Sequence, residues 1–104
     1  MTNMITTKQQ INEAIQTAQK ELLSLGVKTI GLFGSFVRGE ASPSSDVDLL
    51  VEFDATQQTF DNFMDVCFLL EDRLGRKVEV VTPDSLSPHL KSYIMKELEY
   101  VALS

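Results

Sequence analysis

Asp46–Phe53 reads DVDLLVEF, and this pattern limits the folds open to the chain. In an extended strand, successive side chains point to opposite faces. Val47, Leu49, Val51 and Phe53 then form one apolar row, while Asp46, Asp48, Leu50 and Glu52 share the other face. Such a strand belongs to a sheet with a core on one side and an acidic end on the other. Asp46 and Asp48 stand about 6–7 Å apart at Cα, from a rise of roughly 3.3 Å per residue. Like charges at that distance repel, and burying either is costly unless a cation or hydrogen bonds offset it. The pattern raises the question of what positive partner it serves.

The flanking segments supply the rest of an α/β (α+β) architecture. Thr7 to about Leu25 reads as a helix, with Ile11, Ile15, Ala18, Leu22 and Leu25 recurring at three- and four-residue steps. Thr7 with Gln10 fits a capping box, and Gly26 fits a left-handed stop. Lys28–Phe33 is a short apolar strand, followed by a helical turn to Gly39 and a loop over Glu40–Ser45. Gln58 to Leu74 reads as a second long helix ended by Gly75, with Phe60, Phe63, Met64, Cys67, Phe68 and Leu74 as its core side. Lys77–Thr82 is a third strand, and Thr82–Ser87 a turn. Ser87 caps a last helix with Pro88 at its first position, running to about Lys96. Glu99–Leu103 adds an edge strand. The order implies a small sheet of three to four strands flanked by helices. Strand directions are not readable from it.

The bulk composition sets limits. A chain of 104 residues suits one domain, residues 1–104, and 43% apolar residues suffice for one core. No apolar run approaches the roughly 20 residues of a membrane span. The start, MTNMITTKQQ, lacks the basic and apolar stretches of a secretory signal. The single cysteine fits a reducing, cytoplasmic setting, and Cys67 reads as a buried, inert thiol. The net charge is −6 and the nine Lys and Arg are scattered, which disfavours nucleic acid as a partner. Phosphate chemistry on this chain would draw its positive charge mostly from metal ions.

A bare D-x-D at a strand's start is most often a wet sheet edge. Here the upstream residues shift the balance. Gly34 lets the backbone turn sharply and approach a ligand closely. Ser35 opens a helical turn whose free N–H groups and hydroxyl favour phosphate. Arg38, one turn on, reaches a phosphate or an aspartate, or else forms a structural ion pair across the loop; both readings stay open. Asp46 and Asp48 are hard oxygen ligands suited to Mg²⁺, and carboxylates of this kind bridge two-metal sites. Other motifs fail. There is no GxGxxG and no Gly-x4-Gly-Lys-Ser/Thr. Ser35 lacks a G-x-S-x-G elbow, the one histidine, His89, reads as a surface residue at a helix start, and one Cys with one His makes no zinc site. Val51 stands where a calcium loop needs glycine.

Gly34-Ser35, ten residues, then Asp46-x-Asp48 resembles the G-S-x10-D-x-D motif of the DNA polymerase β-like nucleotidyltransferase superfamily. The short chain and the wording GSFVRGEASPSSDVDLLVEF resemble its minimal nucleotidyltransferases most closely, from about Thr7 to Leu103. These are often the antitoxin half of a pair with a helical HEPN-type toxin. The resemblance implies that Gly34 and Ser35 hold the triphosphate of ATP, while Asp46 and Asp48 hold Mg²⁺, two ions in all. A third carboxylate maps to Glu79 in KVEVV, as metal ligand or proton acceptor. The family more often has aspartate there. The added methylene could move a general base by about 1 Å, which costs on the order of 100-fold in rate. Outside the resemblance, Glu79 reads as an exposed strand residue paired with Lys77 or Arg76.

The implied activity is metal-dependent transfer of AMP from ATP to a hydroxyl, a tyrosine of a partner HEPN toxin. The Glu79 replacement motivates an alternative: a catalytically weak or inactive binding module that neutralises a partner by complex formation. Transfer to a small molecule such as an aminoglycoside usually needs an added acceptor domain, for which this chain has no room. The acceptor therefore comes from another chain, a heterologous partner or a second copy.

Overall fold

A computed structural model describes residue 5 and residues 7–103. The chain runs α1 (Lys8–Thr17), α2 (Gln19–Ser24), β1 (Val27–Phe33), α3 (Ser35–Arg38), β2 (Val47–Phe53), α4 (Phe60–Leu74), β3 (Val78–Val81), a 3₁₀ turn (Pro83–Ser85), α5 (Pro88–Glu97) and β4 (Glu99–Val101). The four strands form one mixed sheet in the order β3-β2-β1-β4. β1 pairs antiparallel with both β2 and β4, while β2 and β3 are parallel, as their joining helix α4 requires. This is the nucleotidyltransferase architecture expected from the motif. Among the described residues no helix is long and apolar enough to cross a membrane.

The alternation of β2 decides where the core sits. Val47, Leu49, Val51 and Phe53 are all buried, alongside Ile30 and Leu32 of β1 and Val78 of β3. Against this row pack Ile11, Ile15 and Leu22 from α1 and α2, with Val66, Leu70 and Leu74 from α4. The opposite face is thinner. There Leu50 of β2 and Ile94 of α5 are buried, and Leu98 lies so close to Gly31 that a Cβ on that glycine would stand 2.6 Å from Leu98 Cδ1.

Several boundaries follow local chemistry. The Thr7–Gln10 capping box forms with both bonds at 3.1 Å. Thr59 and Ser87 accept from Asn62 N and Leu90 N, and Gly75 ends α4 at φ 64°. The expected first helix is broken in two. Ala18 adopts φ −99°, ψ 7° and donates back to Ile15 O, which ends one turn and starts the next. The apolar stripe crosses the break intact, since Ile11, Ile15, Ala18 and Leu22 are all buried.

The face assigned to α4 is also corrected. Phe60 and Phe68 are 77% and 61% exposed, while Phe63, Met64 and Cys67 are half-buried. The buried row is Val66, Leu70 and Leu74, with Phe63 and Leu69 packed against it. Steps of three and four from Phe63 through Val66, Leu70 and Leu74 trace one side of the helix; the largest side chains fall beside that line. Cys67 is half-buried rather than buried. Its thiol is pushed up by burial and then by the Glu71 charge, in keeping with an inert group.

Candidate active site

The site forms where the C-terminal end of β1 meets the first half of β2. The chain leaves β1 at Gly34 with φ 83° and ψ −152°, a conformation that side chains with a Cβ scarcely visit. The reason is visible across the ladder. Phe33 is the register partner of Asp48, so Gly34 lies directly beside that carboxylate. A methyl group built on Gly34 would overlap Asp48 Oδ2. The close approach expected for a ligand is thus made first by the Asp48 side chain itself.

Asp48 is also the register partner of Glu79 on parallel β3. The two carboxylates therefore stand side by side on adjacent strands and line one cavity of about 250 Å³ with Gly34 and Arg38. Glu97 is a further charged group in that lining, and the remainder is largely apolar, from Phe33 and Val81 and from residues of α5 and the segment before it. Burial, then the charges of Glu79 and Asp46, push the Asp48 pKa up to about 6, against an opposing pull from Arg38. Asp46 stands one position before β2, on the Asp48 side of the alternation, and lies outside the residues lining the cavity.

Ser35 begins α3, and its hydroxyl makes no hydrogen bond among the described residues. Arg38 closes that turn. Its Nε donates to Glu40 at 2.7 Å and its Nη1 to Glu97 at 3.2 Å, and these two carboxylates hold its pKa above the usual value. Of the two readings of Arg38, the ion pair is the one formed here, while the same guanidinium lines the cavity with Asp48. Glu79 is exposed, as the plain strand reading expects, but pairs with neither Lys77 nor Arg76 among the described residues; its strand neighbour is Asp48.

Two residues escaped the sequence reading. Glu97, at the end of α5, accepts from Gly34 N at 2.6 Å, and its side chain is only 17% exposed. Arg76 donates to the carbonyls of Ser42, Pro43 and Ser45 at 3.0, 3.1 and 2.5 Å, and its guanidinium lies 5.1 Å over the Phe36 ring. It thereby holds the loop between the Gly-Ser turn and Asp46. Neither role follows from spacing. An Arg after a helix-ending glycine was the only available hint for Arg76.

The donor set fits a hard divalent cation. It offers carboxylate oxygens, with Asp48 and Glu79 on adjacent strands and the charges of Glu79 and Asp46 bearing on Asp48 after the larger effect of its burial. Among the described residues no three His, Cys, Asp or Glu side chains converge as a ready-made metal cage. Mg²⁺ does not need one, since it commonly takes one or two carboxylates together with substrate phosphates and water.

The profile of the nucleotidyltransferase domain matches residues 11–101, so the chain belongs to that family of enzymes. Among its relatives is the protein adenylyltransferase MntA of Thermococcus cleftensis, 41% identical over 91 residues, which are 86% of this chain and 91% of that one. A solved structure described as a candidate minimal nucleotidyltransferase superposes with TM-score 0.69 at 32% identity, covering 85% of this chain and 93% of the other. A toxin–antitoxin crystal structure determined with AMP-PNP superposes with TM-score 0.66 at 22% identity, over 84% of this chain and 72% of that one, a likeness of fold.

Proposed function

We propose that residues 1–104 act as one domain that transfers AMP from Mg²⁺-bound ATP to a tyrosine hydroxyl of a partner HEPN-type toxin, as the antitoxin of a two-protein pair in the cytoplasm. The observation that carries the reading is the register match of Asp48 with Glu79 directly beside Gly34. A curated relative named as a protein adenylyltransferase supports the AMP transfer, and the fold shared with a toxin–antitoxin structure supports the partner class.

In this reading Gly34 and Ser35 receive the triphosphate, with the Ser35 hydroxyl as a donor. Asp46 and Asp48 hold Mg²⁺, and Glu79 is the third ligand or the proton acceptor. Bound Mg²⁺ supplies Lewis acidity, lowering the pKa of the acceptor hydroxyl and neutralising charge on the departing pyrophosphate. The acceptor oxygen forms a bond to the α-phosphorus as the bond to the β-phosphate oxygen breaks. The hydroxyl proton passes to Glu79 or to water, and pyrophosphate leaves. Alignment and charge neutralisation supply most of the acceleration.

Incubation with labelled ATP, Mg²⁺ and the protein encoded by the adjacent gene tests this. Label on the partner, lost with Asp46→Asn, is expected; no label, or an Asp46→Asn variant equal to wild type, rejects the reading. The second reading, a module that neutralises by binding alone, is favoured by Glu79, which stands exposed beside Asp48 where the family more often has aspartate. It expects Asp48→Asn to protect cells as well as wild type does.

A further inference from the structure

Glu97 is an unexpected guest at the site. The face already carries Asp46, Asp48 and Glu79, and a fourth carboxylate adds repulsion there. What it gains is a pair of bonds. Its Oε2 accepts from the Gly34 amide at 2.6 Å, and both oxygens lie 3.2 Å from Arg38 Nη1. The side chain is thus hydrogen-bonded at 17% exposure, and it shares the Arg38 guanidinium with Glu40.

The backbone behind Glu97 is held as well. Leu98 seats against Gly31, where no Cβ could fit, and Glu99 pairs with Leu32 in the ladder. The carboxylate is therefore projected from a fixed strand–helix corner onto the turn that leaves β1. That turn needs fixing, because glycine at φ 83° has many other conformations open to it. The Ser35 hydroxyl stays unengaged, so Glu97 holds the turn without taking that donor.

We propose that Glu97 is a positioning residue for the nucleotide: it latches the Gly34–Arg38 turn to the end of α5, so that Ser35 and Arg38 meet the phosphates at a set height over Asp48 and Glu79. This rests on the nucleotide-transfer reading above. The contact spans 63 residues of sequence and is the tie between the Gly34 amide and α5, while Phe36 anchors the other side of the turn in the core.

Calorimetric binding of Mg²⁺-AMP-PNP to the whole chain separates geometry from charge. Glu97→Asp keeps the charge but is one methylene too short to reach the Gly34 amide. It should weaken binding about tenfold to a hundredfold, in the range seen when supporting hydrogen bonds or alignment are lost. Glu97→Gln keeps a carbonyl acceptor at full length and should stay within about threefold of wild type. Gly34 amide exchange, followed by NMR without nucleotide, should be slow in wild type and Glu97→Gln and fast in Glu97→Asp. Thermal melts of all three accompany the titrations, since a structural effect alone would track stability rather than side-chain length. Glu97→Asp equal to wild type, Glu97→Gln as weak as Glu97→Asp, or a fast-exchanging Gly34 amide in wild type would each overturn the latch. A wild type that shows this order of binding yet labels no acceptor would reject the transfer reading and leave the latch standing.

Discussion

The two faces of β2 put the same backbone to opposite uses. On one face Val47, Leu49, Val51 and Phe53 disappear under three helices, and each can be exchanged only for something of similar shape. On the other, Asp48 lies beside Glu79 under the partial cover of α5, with a cavity left open beside them. The first face supplies stability, and the second spends some of it by crowding carboxylates. Adjacent residues of one strand thus differ in what their loss would do, and substitutions at neighbouring positions can separate the two.

The largest effect should come from Asp48→Asn. Under the proposed function this carboxylate would hold Mg²⁺, and its removal is expected to lower AMP transfer on the order of a thousandfold, measured as label transferred per minute at saturating Mg²⁺. Its neighbour should behave in the reverse way. Leu49→Ala opens a hole in the buried row and should cost about 2–5 kcal/mol of stability in urea unfolding, while the affinity for Mg²⁺-AMP-PNP of the fraction that remains folded changes little. If Leu49→Ala abolished binding without destabilising the fold, the division between the faces would collapse.

A subtler effect is the pH dependence of stability without metal. Asp48 holds its proton more tightly in the folded chain, near pH 6, than an ordinary aspartate at 3.8. Its protonation therefore favours folding at acid pH, and that advantage is lost as pH rises through about 6. Asp48→Asn should match wild type in melting temperature near pH 4 and exceed it by pH 7.5, in EDTA. A constant difference across this range would mean that Asp48 is not crowded. The smallest effect belongs to the outer side of α4, where Phe68→Ser should shift stability by no more than about 0.5 kcal/mol. A larger loss would restore Phe68 to the core.

How much of this could be read from the sequence depended on how far each interaction reaches along the chain. The strand alternation, the Thr7, Thr59 and Ser87 caps and the Gly75 stop are local, and the strands, Thr7, Ser87 and Gly75 were legible. Glu79 was singled out by the family resemblance alone; the parallel pairing that sets it beside Asp48 depends on strand directions, which the sequence pattern does not carry. The side of α4 was misread because two rows of this helix keep the helical period, Phe60, Phe63, Met64, Cys67 and Phe68 as well as Phe63, Val66, Leu70 and Leu74, and period alone does not choose between them. Phe60 and Phe68 stay outside, while the smaller Val66 and Leu70 hold the line. Glu97 and Arg76 were invisible for another reason. Their partners are backbone groups 63 and 31–34 residues away, and a main-chain amide or carbonyl leaves no mark in a sequence pattern.

Arg76 also changes the nature of the Glu40–Ser45 stretch. By composition the stretch is a slack tether, yet three of its carbonyls are gripped by one guanidinium. The freedom such a segment would otherwise surrender when a ligand arrives has already been given up during folding. Under the proposed function, a nucleotide docking at the adjacent Gly34–Arg38 turn would find this segment already set, so little of its binding energy would be diverted into ordering it.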